Sequence, residues 1–439
     1  MTGVSAIMAS YGTREIVPNL VLNLDAATYT GLSAQFSGSN NLSVPNSASL
    51  NPGTGDFTIE FWTRLTSTTN NASFYRGNNN GVDIFMNSSG RLAMGQAQVS
   101  TLITDSVTMT TGAWVHVAAV RIGATTRLYK NGVLVGSAGD ATNYVTDSVN
   151  YIGFSGSIRI TGYISNLRVV IGLGVYTGAF TPPTSPLALT QSSGTNISAI
   201  TAGQTQLLLP LNATPFTDIS TNAITVTNTG TVVPGVQYPF TATDSTGTYP
   251  VTVLNPTPRI LWNSANGGVF RVTTASTNNF MTFGPNYSSG SQAFTVGMAY
   301  KYNGTTAGRL LNANTASPDF LMGLWGDGAT PKMNIAFANG FTGVTTTVAD
   351  TAWHFIWFTS TGVAGATKAK SYVATNTAPS GTNGTSSANG GFNGLRLFSR
   401  ESSSEQVDAD VGFVKVWDRE LTLAQIQAEH AAYKTRFGY

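Results

Sequence analysis

The segment Phe57–Trp62, with Arg64 just beyond it, combines an aromatic ring with two charged groups that could contact a ligand. Its apolar and polar residues alternate, which predicts a strand with one buried face and one exposed face. Trp62 on the exposed face would offer a stacking surface between a carboxylate and a guanidinium, groups that can fix the orientation of a polar ligand. The opposite parity, with Trp62 in the core, is the alternative. The candidate ligand-binding residues of this strand are Glu60, Trp62 and Arg64.

Three further aromatic residues lie in sequence contexts typical of loops. Loop aromatics at the edge of a β-sheet can stack on a flat ligand while neighbouring polar groups bond to it. We therefore expect them to be additional ligand-binding candidates: Tyr75, Tyr144 and Trp325.

The acidic residues do not form the pattern that hydrolysis of a glycoside requires. Such a reaction normally needs two carboxylates about 5–10 Å apart. Glu60 is the only acid of its strand, and Asp408 and Asp410 share a parity but follow Ser402–Ser404 in what reads as a loop. We therefore expect no catalytic residues and no enzymatic activity. A glycoside hydrolase with a degenerate site is the alternative.

The chain of 439 residues carries few charges, which argues against several classes of partner. Charged residues make up 10% of it, against roughly 25% in an average soluble protein, and its net charge is +2. Without a basic run, we expect no nucleic-acid partner. Without 18 consecutive apolar residues, we expect no membrane partner. The sequence does not open on a basic and apolar leader, so no secretory signal is expected. With no cysteine, disulfides and thiolate metal sites are excluded.

Most local signals predict strands, and one predicts a helix. Asn131-Gly132 lies between two apolar runs and supplies the positive φ angles that a tight hairpin requires. Near the end of the chain, apolar residues recur at helical spacing from Thr422 to Phe437. Thr422 and Gln425 match a capping box at the start of this segment.

A weak internal repeat predicts two copies of one β domain. Phe57-Thr58-Ile59 in the first half corresponds to Phe294-Thr295-Val296 in the second, and Trp114 to His116 corresponds to Trp353-His354. A stretch rich in Thr and Pro separates the copies. The predicted organisation is an N-terminal docking arm at 1–18, a first domain at 19–240, a linker at 241–257, and a diverged second domain at 258–439 with a helix at 422–437.

Several segments together resemble the laminin-G-like branch of the concanavalin A-like lectin/glucanase superfamily. The resemblance implies an all-β fold of two antiparallel jelly-roll β-sandwiches with one short C-terminal helix. It leaves a Ca²⁺ site open, with loop acids such as Asp56 and Asp83 as ligands, although no D-x-[DN]-x-[DN]-G loop is present; no other cofactor is expected. The segments that carry the resemblance are Asp56–Trp62, Gly112–Arg121, Arg127–Gly136, Tyr151–Gly156 and Gly162–Val170, with VGFVKVWDRELTLAQIQAEH near the end.

Three other segments are similar to stretches found in virion proteins of tailed phages, especially marine and cyanobacterial ones. This similarity implies a non-enzymatic virion surface protein, made in the host cytoplasm, that is a tail fibre or spike adhesin or a capsid decoration. Its partners would be other virion proteins, further copies of itself and a host-surface glycan. A soluble lectin that is not part of a virion is the alternative. The segments are Val17–Gly31, Val175–Leu187 and Phe216–Val233.

Overall fold

The computed structural model divides the chain into two compact units. One unit is formed by residues 32–240, and the other by residues 1–31 together with 241–439. The described residues are 19–26, 31–69, 71–236, 242–243, 246, 248–254, 260–263, 265–272, 280–287, 292–303, 308–313, 320–324, 332–337, 340–347, 351–362, 368–382, 384–386, 392–398 and 408–439. The predicted docking arm at 1–18 lies outside them.

The first unit is a sandwich of two antiparallel sheets, here called sheet A and sheet B. In spatial order, sheet A contains Val133–Gly139, Thr125–Lys130, Val115–Ile122, Phe57–Leu65, Thr161–Ile171, Ser33–Ser37 and Val233–Gly235, with Thr205–Leu209 also paired to Thr161–Ile171. Sheet B contains Thr227–Thr229, Asn41–Pro45, Val149–Ile152, Ala72–Gly77, Val82–Met86, Arg91–Gln96 and Ser100–Thr108. A short hairpin, Phe154–Ser155 with Ile158–Arg159, and the 3-10 helix Ala48–Leu50 complete the unit.

The predicted alternation builds the core of this sandwich. Ile59 and Phe61 of sheet A lie in one buried cluster with Phe74 and Ile84 of sheet B. The hairpin predicted at Asn131-Gly132 is also confirmed. Asn131 has a φ of 51° and Gly132 a φ of 75°, in the left-handed region that such a turn requires.

The second unit contains two further antiparallel sheets, here called sheet C and sheet D. Sheet C contains Ile260–Asn263, Val269–Val272, Ala409–Trp417, Phe294–Tyr302, Trp353–Ser360, Ala369–Ala374 and Gly384–Ser386 in that order, with Leu20–Asp25 also paired to Ala409–Trp417. Sheet D contains Ala242–Thr243, Pro250–Leu254, Phe280–Tyr287, Phe392–Leu397, Gly308–Ala313, Phe320–Leu324, Lys332–Phe337 and Gly340–Thr347. The 3-10 helix Ala265–Gly267 lies between two strands of sheet C.

The predicted C-terminal helix is present and covers sheet C. It spans Leu423–Tyr433 and continues as the 3-10 turn Lys434–Phe437. Thr422 and Gln425 form the predicted capping box. Ile426 packs into a buried cluster with aromatic residues of sheet C. The all-β jelly-roll fold with one C-terminal helix is thus confirmed. Within the described residues, no helix is both long and apolar enough to cross a membrane.

Two predicted boundaries differ from the structure. The strand Leu20–Asp25 pairs with Ala409–Trp417, so the first unit begins at Leu32 and not at residue 19. Part of the predicted linker is sheet, because Pro250–Leu254 pairs with Phe280–Tyr287. Both differences arise from long-range pairing, which local sequence patterns do not reveal.

Candidate functional site

Glu60 is at the centre of a buried charge network. It has no exposed surface, and it accepts hydrogen bonds from the Arg168 Nε (2.9 Å) and Nη2 (2.6 Å) groups. His116 Nε2 lies 3.1 Å from the other carboxylate oxygen, which also accepts a bond from the Tyr176 hydroxyl at 2.7 Å. Burial alone would raise the pKa of Glu60, but Arg168 and these bonds lower it to about 2. Glu60 is therefore a fixed anion without a free lone pair facing solvent.

The network is buried because residues 172–204, here called the covering segment, lie over this face of sheet A. Val175, Tyr176 and Phe180 of the segment form one apolar cluster with outward-facing residues of the sheet. The rings of Tyr176 and Phe180 are stacked at 3.6 Å. The alternation along Phe57–Leu65 is as predicted, but the expected exposure of Glu60 is wrong.

Trp62 and Arg64 lie on the same face as Glu60, farther along the strand. Trp62 is partly exposed and packs against the His116 ring, with centroids 5.1 Å apart. Arg64 is buried, and its Nε donates to the Gly112 carbonyl at 2.8 Å. Of the three candidates on this strand, only Trp62 presents surface to a ligand, and its role stays a prediction.

The tyrosines predicted to lie in loops are buried. Tyr75 belongs to the strand Ala72–Gly77, and its hydroxyl donates to Asn150 Oδ1 at 3.0 Å inside the core. The Tyr144 hydroxyl donates to Asp140 Oδ2 at 3.1 Å, so this ring also offers no ligand surface. Trp325 lies outside the described residues.

The acids proposed for catalysis or Ca²⁺ are mostly engaged with other groups. Asp410 lies in a strand, not in the predicted loop, and its two oxygens each accept a 2.6 Å bond from Arg271. Asp56 Oδ1 accepts a bond from the Gly123 amide at 2.7 Å. Asp83 lies in the strand Val82–Met86 rather than in a loop. The described residues contain no group of three or more His, Asp or Glu side chains able to hold a metal ion.

His116 and His354 do not occupy equivalent positions, contrary to the repeat predicted from sequence. His116 pairs with Trp62 in register and lies on the outer face of sheet A, within the Glu60 network. His354 pairs with Tyr300 and stacks on its ring at 5.5 Å. Trp114 and His116 are two residues apart, whereas Trp353 and His354 are adjacent, so the two histidines point to opposite sides of their sheets.

Sheet B presents a different arrangement of aromatic residues on its outer face. Tyr151 lies opposite Arg76 in register, and Arg76 lies opposite Asp83, so the three side chains share this face. The Tyr151 and Phe154 rings meet edge to face at 4.7 Å. The Arg159 guanidinium lies 4.8 Å from the centre of the Phe154 ring. We call the four partly exposed residues of this face the aromatic patch: Phe85, Tyr151, Phe154 and Arg159.

Two buried charged residues support the aromatic patch from below. Arg76 Nη1 donates to the Ser155 hydroxyl at 2.6 Å and lies 3.5 Å from Asp83 Oδ2, which ties the hairpin to the sheet. Burial raises the pKa of Asp83 to about 6, because Arg76 offsets only part of the desolvation. Arg159 Nε donates to Asn41 Oδ1 at 3.3 Å. The rings are therefore held in fixed orientations while remaining accessible, which suits stacking against a flat apolar ligand surface.

Sequence reasoning missed the aromatic patch, although a signal was present. Tyr151 alternates with the buried residues Asn150 and Ile152 and so faces outward. The segment Tyr151–Gly156 served only to support the resemblance. The hairpin that adds Phe154 and Arg159 to the face has strands of two residues each, too short for a pattern to predict.

Comparison with known proteins gives a family match within the first unit. Residues 36–171 match the Laminin_G_3 family of the concanavalin A-like lectin/glucanases superfamily. No curated protein matches the chain.

Similar solved structures share little sequence with this chain. A candidate carbohydrate-binding protein of Bacteroides ovatus is 16% identical, with 47% of this chain and 60% of that chain covered and a TM-score of 0.35. Domains LG4-5 of the mouse laminin alpha1 chain are 11% identical, with 93% and 96% covered and a TM-score of 0.29. The sialidase CBM40 of Ruminococcus gnavus, bound to alpha2,3 sialyllactose, is 16% identical, with 36% and 94% covered and a TM-score of 0.27. This chain thus spans 60% of the length of the first of these proteins. The family match thus shows that residues 36–171 are similar to the laminin-G-like domains of the concanavalin A-like lectin/glucanase superfamily.

Proposed function

We propose that this chain is a non-enzymatic glycan-binding protein and that the aromatic patch is its ligand site. The observation that carries the proposal is the fixed, partly exposed arrangement of Tyr151, Phe154 and Arg159 on a lectin-type domain. The apolar face of a pyranose ring stacks on an aromatic ring, while guanidinium and amide groups bond to its hydroxyls. Arg159 and Asn41 supply those polar groups beside the rings.

The state of the acidic residues supports a function without catalysis. In a glycosidase, the general acid needs a raised pKa and must reach the leaving-group oxygen. Glu60 has the opposite property, because its pKa is lowered and three side chains occupy its oxygens. Asp410 is held by Arg271 through both oxygens. Asp83 has a raised pKa, but its side chain is buried beneath the aromatic patch, 3.5 Å from Arg76, and does not reach a ligand on the surface. Binding without bond cleavage is therefore the function that these residues favour.

We further propose that the protein is displayed on the surface of a tailed-phage virion. Support comes from the similarity of Val17–Gly31, Val175–Leu187 and Phe216–Val233 to segments of such virion proteins, and from the low content of charged residues. One weak sugar contact per copy would become firm attachment when many copies act together on one particle. A free lectin is the alternative, and the similarity of these segments to virion proteins does not support it.

A glycan screen with two matched variants tests the ligand site. Tyr151→Ala removes a ring of the aromatic patch, and Trp62→Ala removes the partly exposed ring on the other sheet. We expect Tyr151→Ala to weaken binding at least about tenfold, the effect of losing about 1.4 kcal/mol of contact, and Trp62→Ala to leave affinity unchanged. Loss of binding in Trp62→Ala alone would move the site to sheet A. No glycan bound by the native protein would contradict the proposal.

Gold labelling of intact phage tests the proposed location. Antibody raised against the recombinant protein is applied to purified particles and viewed by electron microscopy. Label over the head would indicate a capsid decoration, and label at the tail an adhesin. Unlabelled particles, together with glycan binding in solution, would favour the free lectin.

A further inference from the structure

The hairpin that carries Phe154 of the aromatic patch is tied to sheet B by a buried arginine. The hairpin consists of Phe154–Ser155 paired with Ile158–Arg159, and two strands this short do not hold an orientation by themselves. Arg76 Nη1, from the strand beneath, donates to the Ser155 hydroxyl at 2.6 Å. The position of the Arg76 guanidinium therefore influences the position of the Phe154 ring.

The charge of Arg76 is balanced by a carboxylate that is itself poorly stabilised. Asp83 Oδ2 lies 3.5 Å from Arg76 Nη1, which is a long contact, and the two residues are 6% and 8% exposed. Asp83 Oδ1 is buried and has no hydrogen-bond partner among the described residues. A buried carboxylate in this situation takes up a proton more readily than an exposed one, because it lacks the solvation that stabilises its anion.

Other charged groups on the elements around Asp83 do not replace Arg76 as its counterion. Asp83 lies opposite Gly95 in register, and Arg91, the charged residue of that strand, is exposed and four positions away. Arg159 of the hairpin donates to Asn41. Arg76 therefore contributes the cation that faces this carboxylate.

The environment of Asp83 brings its protonation close to neutral pH. Burial raises the pKa of this carboxyl to about 6, because Ser73 and Arg76 offset only part of the desolvation. The three histidines, which also titrate in this range, lie outside sheet B: His116 belongs to sheet A, and His354 and His430 belong to the second unit.

We propose that Arg76 positions the hairpin for ligand binding while Asp83 is ionised, and that protonation of Asp83 releases the hairpin and weakens binding in acid. This inference rests on the proposed glycan site. A neutral Asp83 no longer balances Arg76, and a guanidinium keeps its charge in acid. A buried cation without a counterion is costly, so Arg76 turns to solvent and exchanges the Ser155 hydroxyl for water. The Phe154 ring then loses its fixed orientation.

The expected effect is on binding and not on folding. With a pKa of about 6, about one molecule in eleven has an ionised Asp83 at pH 5, so the affinity should fall about tenfold between pH 7.5 and pH 5. This pKa lies above the ordinary value of 3.8, so the folded chain binds the proton more tightly than the unfolded chain. The contribution of Asp83 to stability is complete below about pH 4 and is lost as the pH rises through about 6. Protonation of Asp83 should therefore loosen the hairpin without unfolding the sandwich.

Fluorine NMR of the protein with 4-fluorophenylalanine at position 154 follows the hairpin directly. We expect this resonance to shift between pH 8 and pH 5, with a midpoint near pH 6. Asp83→Asn is neutral at every pH, so its resonance should stay where the native protein arrives at pH 5. The control Asp105→Asn removes the carboxylate of another ion pair, with Lys130, on the edge strand of the same sheet, and should titrate like the native protein.

A second readout separates the hairpin release from the glycan site. An array of neutral and acidic oligosaccharides is probed with the native protein and with Asp83→Asn at pH 7.5 and pH 5. A native resonance that does not move, or an equal transition in Asp83→Asn, would overturn the proposal. Glycans bound equally well at both pH values would overturn it too, and would leave the glycan site intact. No glycan bound at pH 7.5 would contradict the proposed function itself, whatever the resonance does.

Discussion

Each unit buries a cation at the same place in one of its sheets. Arg168 lies opposite Glu60 in register on the long strand of sheet A, and Lys415 lies opposite Gly297 on the long strand of sheet C. Both cations are fully buried. A carboxylate neutralises each of them, but it comes from a different element: Glu60 belongs to the adjacent strand, whereas Glu429 belongs to the covering helix and lies 3.0 Å from the Lys415 ammonium.

In each unit, a threonine bonds to the chain that follows the long strand. This threonine lies two residues before Glu60 in the first unit and two residues before Gly297 in the second. Thr58 donates to the Leu173 carbonyl and accepts from the Val175 amide, at 3.0 and 2.8 Å. Thr295 does the same with Arg419 and Leu421, at 2.8 and 2.9 Å. The strand pairing, the cation and the threonine are thus shared, while the element that covers the sheet differs.

This comparison shows how the outer faces of sheets A and C are occupied. In both units the face is covered by the chain that follows the long strand, and the charges beneath are paired with each other. We therefore expect the paired charges on this face, Glu60 with Arg168 and Glu429 with Lys415, to contribute to stability. The comparison therefore directs the search for a glycan site to sheet B.

The largest effect is expected from Glu60→Gln. The substitution leaves Arg168 buried without a counterion, and breaking a buried ion pair in this way costs roughly 3–5 kcal/mol. Urea unfolding followed by hydrogen exchange, read from peptides of the first unit, measures the change. The double variant Glu60→Leu/Arg168→Met removes both charges and should recover most of the loss. A loss of unfolding free energy below roughly 1 kcal/mol for Glu60→Gln would show that Glu60 is not the group that neutralises Arg168.

Glu429→Gln should cost less, roughly 2–3 kcal/mol, because the Lys415 ammonium lies 3.8 Å from the centre of the Tyr433 ring and keeps that favourable contact. The measurement is the same exchange experiment on peptides of the second unit. Equal losses in both units would remove the distinction between the two cations.

Gly297→Ala tests whether sheet C has room for a side chain at the position that Glu60 occupies in sheet A. A Cβ atom at this position would lie 2.8 Å from Trp357 and 3.1 Å from Trp417, so no side chain fits beside Lys415. Overpacking of this kind costs about 1–3 kcal/mol. Unchanged thermal stability of the second unit would mean that the two rings can move apart.

The smallest effects are expected from the matched pair Thr58→Val and Thr295→Val. Each substitution keeps the side-chain shape and removes the bonds to one carbonyl and one amide. The loss should be about 1–2 kcal/mol and similar in the two units. Unequal losses would indicate that the covering segment and the covering helix depend on the threonine to different degrees.

Local patterns predicted the elements of this fold but not their environment. Alternation correctly placed Ile59 inside, the Asn131-Gly132 dipeptide marked a hairpin, and Thr422 with Gln425 marked the helix start. Each of these signals arises from residues a few positions apart, where backbone preferences decide.

The burial of the predicted site depended on contacts far along the chain. Glu60 is bonded to Arg168 and Tyr176, more than a hundred positions away, and the covering segment has no periodicity that would reveal its place over sheet A. For the same reason the pairing of Leu20–Asp25 with Ala409–Trp417 could not be predicted.

That pairing has a consequence for how the protein is made. Along the sequence, the first unit lies between Leu20–Asp25 and Ala409–Trp417. These two strands pair with each other in sheet C of the folded protein. On a ribosome adding roughly 5–20 residues per second, the earlier strand would wait tens of seconds for its partner. The inserted sandwich can complete its own core in that interval, because its sheets lie within residues 32–240. The order of synthesis therefore allows the first unit to fold before the second unit is complete.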